Sequence, residues 1–130
     1  MSAPRKKIAV DFDGTCVEHR YPDIGDDVHQ AVYYLKQLAE HADLILWTVR
    51  TEQSLREAVD WFEERGIPLA GVNRMEGQQY WAGGPKVYAG LYIDDAALGA
   101  PLTHFRCLKP RRPVFDWTVG GPLALEWARG

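Results

Sequence analysis

Three short apolar runs constrain this chain more than any other feature. They are Ile8-Ala9-Val10, Leu44-Ile45-Leu46-Trp47 and Leu91-Tyr92-Ile93. Each has the length and composition of a buried strand. Each then breaks off into polar residues that a strand does not need for its stability: Asp11 and Asp13, Thr48, and Asp94-Asp95. Helical spacing fills the gaps. Val28, Ala31, Val32, Leu35, Leu38 and Ala39 predict an amphipathic helix over residues 27–41, capped by Asp26 or Asp27. Thr51 predicts the cap of a second helix, with Glu52 in its first turn and Leu55, Ala58, Val59 and Phe62 along its apolar stripe. Gly66 closes that helix and Pro68 prevents its continuation. A shorter strand is expected over 69–72, a loop over 73–85, a last strand near 105–108, and a short C-terminal helix from Pro122. Strand, helix, strand, helix, strand is the pattern of a parallel sheet with crossover helices. All three polar strand ends then share one edge of that sheet.

That edge is where open α/β sheets bind ligands. Two carboxylates as close as Asp11 and Asp13 repel each other unless a cation or a proton lies between them. A hard divalent ion such as Mg2+, which takes oxygen ligands and often shares them with a phosphate, suits such a pair. Gly14 lets the backbone turn, and Thr15 offers a hydroxyl.

The bulk numbers exclude several classes. At 130 residues there is room for one ordinary domain, spanning 1–130, and not for two. The formal net charge of -3 gives no electrostatic case for nucleic acid, and the basic clusters at 5–7 and 109–112 are local. No apolar run approaches the roughly 20 residues of a membrane span, and the N-terminus lacks a signal-peptide core, so a cytoplasmic location is expected. Cys16 and Cys107 are too few for a disulfide framework. Neither opens a Cys-x5-Arg phosphatase motif, because Pro22 and Pro113 stand at the required positions. His19, His29, His41 and His104 show no metal-ligand spacing and read as surface or loop residues.

Asp11-Phe12-Asp13-Gly14-Thr15, then Thr48, then Lys86, then Asp94-Asp95 resembles, in order and placement, the four motifs of the haloacid dehalogenase-like (HAD) superfamily of aspartate-dependent phosphohydrolases. The resemblance spans residues 8–95. It implies an α/β fold, a three-layer Rossmann-like parallel sheet of about five strands. It implies a Mg2+-dependent phosphatase acting on a phosphate monoester through an aspartyl-phosphate. Asp11 would be the nucleophile, and Asp13 the acid for the leaving group and then the base for water. Thr48 would donate to the phosphoryl group, and Lys86 would neutralise charge. Mg2+ would be held by Asp11, the backbone carbonyl of Asp13 and Asp94, with Asp95 close by. The dehalogenases of the superfamily carry no acid at the place of Asp13, so that residue points to phosphoryl chemistry.

The intervals 16–47 and 49–85 are filled by the expected helices and strands and leave no room for a cap domain. A small capless phosphatase is therefore expected, its substrate a small molecule or an exposed phosphate ester. Gly14, Thr15, Arg20 and Arg50 are the candidate substrate-binding residues, with Arg74, Tyr80 and Trp81 as further candidates to contact the leaving group. The C-terminal aromatics Phe115, Trp117 and Trp127 are candidates for a homo-oligomer contact that covers the site. Two other readings use the same residues. A receiver-like phosphoryl-binding module would have its acid pair first and its acceptor Asp alone on a middle strand; here the middle strand ends in Thr48. A non-catalytic domain would keep the motifs only to bind.

Overall fold

The computed structural model describes residues 5–104 and 112–130. In chain order the elements are β1 (Lys6–Val10), α1 (Ala31–His41), β2 (Ala42–Leu46), α2 (Glu52–Glu64), β3 (Gly71–Val72), a 3-10 turn (Gln78–Tyr80), β4 (Leu91–Ile93), β5 (Leu102–Thr103), β6 (Val114–Phe115) and α3 (Trp117–Arg129). β1 to β4 form a parallel four-stranded sheet in the order β3-β2-β1-β4. β1 is central: Ile8 lies between Leu44 and Leu91, and Val10 between Leu46 and Ile93. The ladder continues past the strand ends, with the amide of Trp47 donating to Val10 O and the amide of Asp11 to Ile93 O. That register delivers Asp11 and Asp94 side by side. After β1 the chain steps to β2 and β3 on one side; β4 then returns to the other side. The switch in direction falls between β1 and β4, where open α/β sheets bind ligands.

The pleat sorts the core into two unequal parts. Ile8, Val10, Leu44, Leu46 and Ile93 pack in one cluster with Leu35 and Leu38 of α1, Ala58, Trp61 and Phe62 of α2, and Trp117, Ala124 and Leu125 of α3. The alternate residues Ala9 and Ile45 pack instead with Val87, and Met75, Ala89 and Tyr92 close around them. All three helices therefore share one face of the sheet, and the 75–89 segment, with its 3-10 turn, covers the other. This corrects the expected helical layers on both faces. The crossovers β1-α1-β2 and β2-α2-β3 run the same way, so right-handedness places both helices on one side. The return from β3 to β4 crosses the opposite face, and it does so without an α-helix. Among the described residues no cap domain interrupts these connections, and no helix is long and apolar enough to cross a membrane.

Element boundaries moved where loop pairing overrode periodicity. The first helix starts at Ala31, not near 27, because residues 26–28 pair with 16–18: Glu18 N donates to Asp26 O and Val28 N to Cys16 O. Asp27 is therefore not a cap; its carboxylate accepts from Trp61 Nε1 at 2.8 Å and from Arg65. Thr51 is the N-cap of α2 as expected, and Ser54 Oγ turns back to the Thr51 amide and carbonyl. Gly66, at φ 69°, ends that helix. The strand expected near 105–108 lies outside the described residues, as does Cys107, so the described parallel sheet has four strands. β5 and β6 form a separate antiparallel pair. The C-terminal helix begins at Trp117, ahead of Pro122, because Asp116 accepts from Thr118 N and caps it there.

Candidate metal centre and active site

Asp11 leaves the end of β1 and meets Asp94 and Asp95 beyond the end of β4. Each of the three can offer one carboxylate oxygen to a common point, the three oxygens lying within 4.8 Å of one another. Three acids this close, partly shielded from water, cannot all stay ionised alone. Burial raises the Asp11 carboxyl from an ordinary 3.8 to about 8, helped by a hydrogen bond with Asp95 and by the charge of Asp94. The donors are all carboxyl oxygens, which fits a hard divalent cation, able to displace the Asp11 proton, and not a soft one. Asp11, Asp94 and Asp95 could therefore hold a metal ion.

Thr15 ties this group together from below. Its hydroxyl donates to Asp11 Oδ2 at 2.9 Å and lies 3.3 Å from Asp95 Oδ1, while the amide of Asp95 donates to Thr15 Oγ1 at 3.1 Å. The side chain is fully buried, so the expected substrate contact from Thr15 is corrected to an internal one. Gly14 turns the loop at φ 86°, and its amide is spent on Val17 O at 2.7 Å. Its role is spatial: a Cβ here would sit 2.3 Å from the His19 ring and 2.5 Å from Asp95 Oδ2. Cys16 is buried beneath, its Sγ 3.3 Å from Asp11 O, and burial first, then the charge of Asp11, push the thiol well above its ordinary value. A thiol held neutral in this way is inert as a nucleophile.

Asp13 points away from the three acids and into Arg50. The guanidinium uses all five of its N–H groups: Nε and Nη2 reach the two oxygens of Asp13, and the others reach the carbonyls of Pro22, Asp23 and Ser54. Arg50 is fully buried, and no donor is left for a substrate. Its expected substrate-binding role is corrected accordingly. The amide of Thr48 donates to Asn73 Oδ1 at 2.8 Å, and its hydroxyl accepts from Arg50 N at 3.1 Å, keeping its own hydrogen to donate.

The remaining candidates lie further out. Lys86 is exposed, with Nζ 5.2 Å from the centre of the Tyr92 ring, and among the described residues it forms no ion pair with Asp11. Arg20 is exposed and faces Asp26 at 3.7 Å. Arg74 donates to Gly84 O within its own loop. Trp81 packs edge-on against Tyr88, beside Arg5, Lys6 and Lys7 at the start of β1. That is the end of the sheet opposite the acids, so Trp81 is no contact for a leaving group there.

Two contributors were not anticipated. His19, read from sequence as a surface or loop residue, has Nε2 3.1 Å from Asp95 Oδ2. The C-terminal segment also holds the first loop in place: Phe115 N donates to Gly14 O at 2.8 Å, and Trp117 Nε1 to Thr15 O at 2.7 Å. Phe115 and Trp117 are buried within the chain, whereas Trp127 is partly buried, with Lys6 over its ring. The only sequence signal for His19 was its place four residues after Thr15.

No protein-family model matches this sequence, and no curated protein does. One solved structure, that of a conserved protein from Bacteroides thetaiotaomicron, matches with a TM-score of 0.76 and 35% sequence identity, over 95% of this chain and 92% of that one. With that identity over nearly the whole of both chains, this protein belongs to the same family as the conserved Bacteroides protein.

Proposed function

We propose that this protein is a Mg2+-dependent phosphohydrolase of the HAD type, which cleaves a phosphate monoester through a phospho-Asp11 intermediate. The observation that carries the reading is the meeting of Asp11 with Asp94 and Asp95 at the switch point of the sheet. A cation held by these three would offset the charge of a phosphate ester and so let one carboxylate approach another anion. Asp11 forms a bond to phosphorus as the bond from phosphorus to the ester oxygen breaks, and Asp13 in its acid form gives that oxygen the proton with which the alcohol leaves. Thr48 has a hydroxyl hydrogen to donate to the phosphoryl group. Water then attacks phosphorus, giving up a proton to Asp13, and inorganic phosphate departs from a restored Asp11.

Asp13 has both oxygens on Arg50, and this favours a second reading, in which the site takes up a phosphoryl group without turning over. One experiment separates the two. The purified protein is given an aryl phosphate with Mg2+, with excess chelator, and as Asp11→Asn. Steady turnover that both chelation and Asp11→Asn abolish supports the hydrolase. A single burst with no turnover supports the binding module, and turnover unchanged in chelator sinks the metal assignment.

A further inference from the structure

The histidine beside the acids has no part in the reaction as proposed, yet its placement is built. His19 lies in the 16–25 loop, whose backbone is pinned on both sides: Gly14 N donates to Val17 O at 2.7 Å and Glu18 N to Asp26 O at 2.8 Å. The ring lies over Gly14, in space that any Cβ there would fill. The His19 and Asp95 side chains are 17% and 9% exposed. A carboxylate only accepts, so Nε2 carries the hydrogen of the 3.1 Å contact to Oδ2.

We infer that His19 is a positioning residue for the cation site: its Nε2–H fixes the Asp95 carboxylate in the orientation that offers an oxygen to the point shared with Asp11 and Asp94. This role rests on the reading of the three acids as cation ligands. Thr15 cannot do the same work. It has one hydroxyl hydrogen, and its shorter contact is with Asp11 Oδ2, at 2.9 Å against 3.3 Å to Asp95 Oδ1. Thr15 Oγ1 meanwhile accepts the amide of Asp95, which fixes the backbone of that residue but not its carboxyl torsion. Asp11 shares a hydrogen bond with Asp95 only while it keeps its proton; with a cation in its place, His19 is the nearest side-chain donor to Asp95 among the described residues. Hydrogen-bonding partners of this kind, when removed, typically weaken metal affinity by about 10–100-fold.

The test reads cation binding, not turnover. Mg2+ and Mn2+ are titrated calorimetrically into the wild type, His19→Ala, His19→Asn, His19→Gln and Asp94→Asn near neutral pH. A glutamine amide reaches about as far as Nε2; an asparagine amide falls short of it. Binding within about threefold of wild type is expected for His19→Gln, and a loss of about 10–100-fold for His19→Ala and His19→Asn. Melting temperatures in chelator should be similar for His19→Gln and His19→Asn, separating cation positioning from folding. Wild-type affinity in His19→Ala or His19→Asn overturns the role of His19, as does an equal loss in His19→Gln. Failure of the wild type itself to bind either cation overturns the reading beneath it. Wild-type binding that Asp94→Asn abolishes and His19→Asn leaves intact removes His19 alone.

Discussion

Arg50 grips Asp13 with two prongs, Nε to Oδ2 at 2.8 Å and Nη2 to Oδ1 at 2.7 Å. The hydrogen bond to Asp13 pushes the guanidinium further above its already high range, so it stays charged although buried. Its remaining donors hold Pro22 O, Asp23 O and Ser54 O, joining the 16–25 loop to the start of α2. Asp13 is thereby braced on the loop that follows Asp11, and in the proposed reaction it would have to release at least one prong before taking up a proton from water.

Removing Arg50 should be costly to folding. Breaking a buried pair by deleting one partner costs about 3–5 kcal/mol, because the other charge is left behind. Arg50→Met should lower stability by that order in urea unfolding. Arg50→Lys should recover only a part, since an ammonium cannot form the fork or reach all three carbonyls. A neutral outcome for Arg50→Lys would show that the fork contributes nothing beyond its charge.

The metal-free protein should lose stability as pH rises. The Asp11 carboxyl titrates near 8 when folded and near its ordinary 3.8 when unfolded, chiefly because of burial. The folded state therefore binds the extra proton between those values, and unfolding releases it. The contribution is fully present below about pH 4 and is lost as pH climbs through about 8. In chelator, the melting temperature should fall between about pH 5 and pH 8, and Mg2+ should restore more stability at the upper end, where it replaces the proton. A Mg2+ stabilisation that is larger at the acid end would contradict this linkage.

Much of this site was legible in the sequence, and the reason is geometric. An apolar run that stops at Asp11, and another that stops at Asp94, fix two carboxylates at one sheet edge once the strands are parallel and in register. No such rule located Arg50 or Thr15. Both were expected to face a substrate, and both are buried, because sequence shows a side chain's type and not which acceptors surround it. The helix expected from 27 failed for a related reason: Val28 is buried at helical spacing, yet its amide is taken by Cys16 O across the loop. His19 and Trp117 depend on contacts between distant segments, for which no local pattern exists.

The Gly120-Gly121 pair inside α3 looks like a helix weakness, and the packing explains it. A Cβ on Gly121 would lie 2.4–2.7 Å from the Tyr34 ring of α1, and one on Gly120 would lie 2.3 Å from the Phe115 ring. Alanine gains up to about 1 kcal/mol of helix propensity over glycine, but overpacking costs about 1–3 kcal/mol. Gly121→Ala should therefore destabilise the fold, because Tyr34 is also stacked against Trp117 and has little room to yield. Chemical denaturation gives the sign directly; a more stable Gly121→Ala would mean that the ring moves aside freely.

Asp11→Asn and Asp13→Asn should shift stability in opposite directions while both impair turnover. At about pH 8 without metal, Asp11→Asn removes a carboxyl that burial and two neighbouring acids disfavour as an anion, so the melting temperature should rise. Asp13→Asn leaves the buried Arg50 without its counter-charge, so the melting temperature should fall. The chemistry should diverge as well. On the proposed reaction Asp11→Asn lacks the nucleophile, and neither a burst of leaving group nor a phospho-enzyme should form. Without Asp13, an aryl phosphate with a good leaving group can still load Asp11, but hydrolysis loses its general base, a loss of roughly 10²–10⁴-fold. Phospho-aspartate should then accumulate, visible by intact mass. Phospho-enzyme on Asp11→Asn, or a stabilised Asp13→Asn, would mean that the two carboxylates have been given each other's places.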